Sequence, residues 1–144
     1  MKISTRGRYA LRMMIDLAEH YGDEYISLKE ITKRQNISKK YMEQIIPLLN
    51  RNQLLRTAKG QRGGYMLSRK PEDINIAEIV SCTEGNLHVV ECLSTEPNLC
   101  DRYEDCRSIG IWEGLDKLIY DYLSSITLQD ILDQNAADIG TYVI

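Results

Sequence analysis

No apolar run in this sequence approaches the ~20 residues needed to span a bilayer, which excludes a transmembrane anchor. The basic start, Met1-Lys2-Ile3-Ser4-Thr5-Arg6-Gly7-Arg8, is followed by no apolar stretch and no cleavage site. A secretory signal is therefore not expected, and a cytoplasmic location is. Histidine is scarce: only His20 and His88 could serve as an imidazole base, and His20 lies far in sequence from the cysteines. There is no phosphate-binding glycine motif and no nucleophile elbow. An enzyme built on a cysteine nucleophile is thus poorly provided for, and the chain is expected not to be an enzyme. The tight C-x2-4-C pairs of structural zinc sites are missing as well.

What is present is ordinary in amount and uneven in placement. The 144 residues, 43% hydrophobic and 27% charged, suit one soluble domain or two very small ones. The net charge of -3 hides a split. Residues 1–70 hold 15 Lys+Arg against 6 Asp+Glu, a balance of +9, whereas residues 71–144 hold 3 against 15, a balance of -12. A compact basic half is the electrostatic footprint of a phosphate binder, although two solvated faces of opposite sign would give the same count.

The pattern of elements gives that half a shape. Leu11, Met14, Ile15, Leu17 and Ala18 recur at helical spacing, predicting a helix from Thr5 to Tyr21 with Gly22 as its stop. Ser27-Leu28-Lys29-Glu30 is a capping box that opens a short helix over Leu28–Arg34, with Leu28 and Ile31 facing inward. Asn36 can take the left-handed conformation of a tight helix–helix turn. Ser38 caps a second helix over Lys39–Asn50, with Met42, Ile45, Ile46 and Leu49 on its apolar side. Pro47 within it predicts either a kink or an early end. Gln53–Ala58 reads as extended, and Gly64-Tyr65-Met66-Leu67 as the returning strand after a turn at Gly60, Gly63 and Gly64. Helix, helix–turn–helix, hairpin is the layout of a winged helix–turn–helix. The expected fold is mainly α with a small β-hairpin wing, followed by a long dimerisation helix.

Three stretches follow from this: a DNA-binding unit over 1–70, a short helix and cysteine-containing loop over 71–107, and a dimerisation helix with a C-terminal tail over 108–144. Asn75–Cys82 suits a short helix, with Cys82 at core spacing beside Ile79. The long stripe Ile109, Trp112, Leu115, Ile119, Tyr122, Leu123 and Ile126 is too rich in large apolar groups for a lone surface helix. It is read as pairing with a second copy of the chain, the alternative being packing on its own domain. Thr127-Leu128-Gln129-Asp130 suits the cap of a further short helix through Leu132.

Within the helix–turn–helix, Ser38, Lys39, Lys40, Tyr41 and Gln44 fall on the first turns of the recognition helix. Gln44 suits a bidentate contact to an adenine edge, and Glu43 an acceptor for a cytosine amino group. Lys59 and Arg62 flank the wing tip and suit the minor groove or phosphates. Arg6, Arg8 and Arg12 of the first helix suit contacts to the DNA backbone. A single lysine on a helix is usually a solvated charge; the set gains weight because its members fall where the motif needs them. The expected partners are double-stranded DNA with a pseudo-palindromic operator and a second copy of the chain, with no membrane and no small-molecule substrate.

Cys92, Cys100 and Cys106 are spaced C-x7-C-x5-C in a stretch without periodicity. Three thiolates in a flexible loop suit an iron–sulfur cluster completed by a fourth ligand, with redox thiols or unrelated cysteines as alternatives.

The opening Met1–Leu11, the segment Tyr41-Met42-Glu43-Gln44-Ile45, the wing Arg62-Gly63-Gly64-Tyr65-Met66-Leu67 and Ile126-Thr127-Leu128 together resemble the Rrf-type winged-helix repressors. That family includes IscR, NsrR and CymR, and the resemblance covers nearly the whole chain. It implies a homodimer whose subunits each carry a DNA-binding winged helix, a long helix crossing to the partner, and a cluster loop between them. Cys92, Cys100 and Cys106 match the cluster cysteines of the metal-binding members, and the IscR-like opening favours 2Fe–2S over 4Fe–4S. The fourth ligand departs from the family: Ile109 stands where one IscR subset has histidine, and Arg8 where NsrR-like members have an acidic residue. His88, Glu91, Asp101, Glu104 and Glu43 are the candidates that remain. The resemblance implies a repressor sensing iron–sulfur or redox status and controlling iron–sulfur assembly genes. A cluster-free CymR-like repressor, acting through a protein partner or thiol oxidation, and an NsrR-like nitric-oxide sensor are the alternatives.

Overall fold

The computed structural model describes residues 2–134; of the dozen residues expected to form a C-terminal tail, those from 135 on lie outside the described residues. Helix α1 (Thr5–Glu19) starts at Ser4, whose hydroxyl accepts from the Gly7 N–H at 3.0 Å. It ends two residues earlier than expected, with His20 as its C-cap. Helix α2 (Leu28–Gln35) opens on the predicted capping box: Ser27 Oγ accepts from the Glu30 N–H, and the Glu30 carboxylate accepts from the Ser27 N–H. Asn36 closes it in the left-handed region, at φ 52° and ψ 47°.

Helix α3 (Lys39–Arg51) begins with the Ser38 side chain accepting from the Tyr41 N–H and runs on past Pro47. Pro47 deprives the Glu43 carbonyl of its in-helix donor, but Glu43 lies on the exposed face, where water can serve it. An early end at Pro47 is not what the chain does. Nor is Gln53 extended. It sits at φ 58°, and the N–H groups of Gln53 and Leu54 return to the carbonyls of Asn50 and Leu49 at 3.0 Å each. This is a Schellman closure with glutamine in the place glycine usually holds. The extended chain starts only at Leu55.

Strands β1 (Leu55–Ala58) and β2 (Gly64–Leu67) pair antiparallel, with Leu55 opposite Leu67 and Ala58 opposite Gly64. Ile26, ahead of α2, joins the hairpin through reciprocal hydrogen bonds with Tyr65 at 2.8 and 2.9 Å. That junction is why residue 64 is glycine. Its φ is +155°, and a Cβ there would stand 2.2 Å from the Ile26 carbonyl oxygen.

Helix α4 (Ile76–Glu84) opens on a second capping box, Asn75 with Glu78, and extends beyond Cys82 into what the sequence reads as loop. Short 3-10 turns at Glu91–Leu93 and Tyr103–Asp105 punctuate the rest of that stretch. Helix α5 (Ile109–Ser124) follows, then α6 (Leu128–Asp133), opened by the Thr127–Asp130 box. Six residues do not hold a helix unaided. Here Leu128 is fully buried, worth about 2 kcal/mol, and its N–H meets the Ile74 carbonyl at 3.0 Å.

The core gathers Met13, Met14 and Leu17 of α1, Ile31 of α2, Met42, Ile45 and Leu49 of α3, Ile79 of α4 and Leu128. One core therefore spans all three stretches read from the sequence. Helix α1 runs through it and touches α2, α3, β2, α4 and α6. Helix α3, the hairpin and the base of the cysteine loop are all built on that helix.

Candidate nucleic-acid interface and cysteine loop

Because Met42, Ile45, Ile46 and Leu49 bury one side of α3, its other side must face water. Lys39, Lys40, Glu43 and Gln44 are exposed there, with Ser38 at the cap and Tyr41 half-buried at the edge. Lys39 Nζ lies 3.9 Å from Glu43 Oε1, a loose pairing between exposed groups. Lys59 and Arg62 stand exposed in the turn between β1 and β2. The wing is tied to the same helix, since Thr57 Oγ1 donates to Asn50 Oδ1 at 3.2 Å. The polar set read from the sequence on α3 and the wing thus lies on elements held in fixed relation.

The arginines of α1 are placed differently from the expectation of free backbone contacts. Arg6 donates to the Thr83 carbonyl at 3.1 Å, at the end of α4. Arg8 donates to Thr5 Oγ1 at 3.0 Å and is exposed. Arg12 donates through Nε to Gln35 Oε1 at 3.2 Å and through Nη2 to the Gln35 carbonyl. These acceptors are far from Arg6 and Arg12 in sequence, so local spacing could not announce them.

Asp16 is a residue sequence reasoning missed. Its side chain is 1% exposed and takes Arg34 Nη2 at 2.7 Å, Arg34 Nε at 3.0 Å and Gln35 Nε2 at 2.9 Å. Burial pushes its carboxyl up, but the hydrogen bonds from Arg34 and Gln35, with the charge of Arg34, outweigh this and hold it below the ordinary carboxylate value. The only sequence signal was a lone acid on the apolar face of a helix.

Glu84 is a second such residue. Ser4 donates to Glu84 Oε1 through its hydroxyl at 2.5 Å and through its N–H at 3.3 Å. The start of α1 therefore docks on the end of α4, where helix dipoles of opposite sign meet. Gly7 makes the approach feasible: a Cβ there would stand 2.3 Å from Glu84 Oε1. The cysteine loop departs from this junction.

The loop is held at its base by Asp116 of α5, whose carboxylate meets His88 Nδ1 at 2.6 Å and the Val89 N–H at 2.8 Å. Asn98 spans two of the cysteines: Nδ2 donates to the Cys92 carbonyl at 2.5 Å, and Oδ1 accepts from the Cys100 N–H at 2.8 Å. Cys106, just before α5, lies 3.4 Å from Ser108 Oγ, and hydrogen bonding from Ser108 lowers its thiol below the ordinary value. Cys82 behaves as a core residue: burial pushes its thiol up to about 11, and its Sγ is 3.0 Å from the Ile79 carbonyl.

The donor set Cys92, Cys100 and Cys106 suits iron in kind. In this structure the three thiols are not gathered at one point. Among the described residues no three His, Cys, Asp or Glu side chains come together in a group able to hold a metal ion. His88 is engaged with Asp116, and Glu43 stands out on α3 beside Lys39.

Helix α5 also divides the stripe read from the sequence. Leu123, with Ile126 beyond the helix, packs on the chain's own core, and Ile119 lines a groove with α1 and α4. Leu115 and Tyr122 turn outward with Ile111 and Leu118, at 39, 42, 64 and 68% exposure respectively. No residue of α5 is buried.

No helix of the described chain is long and apolar enough to cross a membrane. The Rrf2 family, described as an iron-dependent transcriptional regulator, matches residues 3–134. The protein rrf2 of Nitratidesulfovibrio vulgaris is 37% identical over 92% of this chain and 87% of that one. Among solved structures, Bacillus subtilis CymR, the global cysteine regulator, is 34% identical with a TM-score of 0.75, covering 91% of this chain and 95% of that one. The IscR of T. potens is 36% identical with a TM-score of 0.72, covering 92% and 87%. These relatives are transcription regulators and not enzymes, which disposes of the cysteine nucleophile. The chain belongs to the Rrf2 family of DNA-binding transcription regulators.

Proposed function

We propose that the protein is a homodimeric repressor that reads a pseudo-palindromic operator, one half-site per subunit, under the control of its cysteine loop. The observation that carries the DNA reading is the exposed row Lys40, Glu43 and Gln44 on a capped α3, flanked by the basic wing tip. In this reading α3 enters the major groove. Gln44 pairs with an adenine edge, Glu43 accepts from a cytosine amino group, and Ser38, Lys39, Lys40 and Tyr41 hold phosphates or base edges. Lys59 and Arg62 carry the wing to the minor groove, and exposed Arg8 adds a phosphate contact. Gln44→Ala is expected to weaken operator binding by about 1–3 kcal/mol and to relax preference at one A·T pair only. Binding to a set of singly substituted operators checks this; uniform weakening across the set would place Gln44 on phosphate instead.

For the signal, Cys92, Cys100 and Cys106 are the proposed ligands of an iron–sulfur cluster, 2Fe–2S rather than 4Fe–4S, with iron–sulfur assembly genes as the controlled set. Support comes from three thiols in one loop and from the family's iron-dependent description. A bound cluster would supply chemistry sensitive to iron, oxygen or nitric oxide. What the chain itself supplies is a loop whose base is fixed to α5 by Asp116 and to α1 through Glu84. The second reading, direct thiol oxidation without a cluster, is favoured by the ungathered arrangement and by the lowered Cys106 thiol. Anaerobic purification with iron and acid-labile sulfide analysis separates the two. About two of each per chain, lost in the triple Cys→Ala variant, is the expected result. A colourless protein that reconstitution does not fill leaves the oxidation reading.

A further inference from the structure

We infer that Tyr9 and Arg12 of α1 are positioning residues for the recognition helix and not DNA contacts. The inference rests on α3 being the element that enters the groove.

Tyr9, Arg12 and Asp16 fall at i, i+3 and i+7 on α1, one ridge of the helix. Together they grip both sides of the turn between α2 and α3. Gln35 is the last residue of α2, so its carbonyl is among those a helix end leaves without a partner. Arg12 Nη2 supplies that partner, while its Nε donates to the Gln35 side chain at 3.2 Å. Asp16 takes the amide of the same Gln35 at 2.9 Å. Beyond the left-handed Asn36 turn, the Tyr41 ring lies 5.1 Å from that of Tyr9, the planes inclined at 68° in an edge contact. The Arg12 guanidinium carbon stands 5.4 Å from the centre of the Tyr9 ring, so one cation touches both grips.

Tyr41 sits on the first turn of α3, the turn that carries Lys40 and leads to Gln44. At its first turn α3 is otherwise held by apolar packing, which lacks direction; the Thr57–Asn50 hydrogen bond restrains only its far end. A planar fork across the carbonyl and the side-chain oxygen of Gln35, together with an edge-on aromatic pair, sets an angle. Lysine keeps the charge of Arg12 but lacks the fork.

The test compares R12K, R12Q, Y9F and Y9A with K40A, in a titration of operator and of unrelated duplex DNA over a range of salt. Circular dichroism and thermal melts confirm the folded fraction. R12K and Y9A are expected to lose about three- to tenfold in operator affinity, with binding to unrelated duplex and the salt slope unchanged. Y9F, which keeps the ring edge, is expected to bind as the parent does. The R12K/Y9A double variant should lose less than the product of the single losses, because the two grips share the guanidinium. K40A is expected to lower the salt slope by about 0.9.

If R12Q lowers the slope by that amount and R12K is neutral, Arg12 is a phosphate contact and the inference is overturned alone. The same holds if the variants melt earlier but, per folded molecule, bind the operator unchanged. If K40A alters neither slope nor affinity, α3 is not the reading element, and the proposed DNA mode and this inference fall together.

Discussion

Leu118→Asp is expected to convert the protein to a monomer at micromolar concentration and to lower operator affinity by at least about a hundredfold. Leu118 is 68% exposed on α5 and forms an outward row with Ile111, Leu115 and Tyr122, at i, i+4, i+7 and i+11 from Ile111. Four large apolar groups in one row are what a soluble chain hides against a partner. The proposed homodimer places a second copy of the chain on this row. Beside the row lies an apolar cavity of about 330 Å³, lined by Ile3, Leu11, Ile76, Val80, Ile119 and Leu123. The groove is built on α1 and α4, so a second copy seated there would reach the helix on which α3 and the wing stand. A carboxylate at 118 would be buried without a counter-charge in the dimer, while in the monomer it would sit in water at no cost to the fold. The operator loss follows from valency: two linked half-site contacts exceed one by two to four orders of magnitude. Tyr120→Asp is the control, since Tyr120 is exposed on the opposite side of α5 beside Asn52 and Glu78. Sedimentation velocity and operator titration of both variants provide the measurement. A dimeric, operator-competent L118D would move the interface off this row.

The elements that sequence made legible are those specified by neighbours in sequence. The Ser27–Glu30 box, the left-handed Asn36, the Ser38 cap and the Thr127–Asp130 box each need only three or four residues to be read, and each is in place. Gln53 was not legible, because a left-handed position usually announces itself with glycine or asparagine and here does not. The α5 stripe was legible as apolar but not as two faces. Helical spacing reports that residues share a side and is silent on whether that side meets the same chain or another. The cysteines share a loop in sequence, yet local bonds from Asn98 and Ser108, not a common centre, order them in space. The partners of the α1 arginines were the least legible. The arginines' charge sign was readable, but two of the three are engaged by carbonyls of α2 and α4, whose proximity only the fold creates.

Asp16→Asn is expected to destabilise the fold by about 3 kcal/mol, which lowers Tm by roughly 10 °C for a chain of this size. Its effect comes from what is left behind. The carboxylate is 1% exposed and satisfies three donors from Arg34 and Gln35; asparagine offers one acceptor atom and turns an NH2 group toward the other donors. Arg34 then keeps its charge beside a buried site with no anion to meet it. The cost sits at the low end of the range for a broken buried pair because a third of the Arg34 side chain reaches water. Exposed pairs give the contrast: Lys117 and Asp121 lie 2.5 Å apart on α5 but are both open to solvent, and Lys117→Ala is expected to leave Tm unchanged. The pH dependence identifies the cause. The folded-state pKa of Asp16 is depressed, so its stabilisation is fully present above the unfolded value of about 3.9 and is lost as pH falls through the folded value. The stabilities of parent and D16N are therefore expected to differ most near neutrality and to converge in acid. Thermal melts from pH 7 down to the acid limit of folding decide it. A difference that persists undiminished in acid would mean that lost packing, and not the ionised carboxylate, sets the cost. Because the same carboxylate holds Gln35, whose carbonyl Arg12 grips, D16N at a temperature where it is fully folded should also share the operator-specific loss expected of R12K. The acid that holds α2 to α1 would then be one of the groups that aim α3.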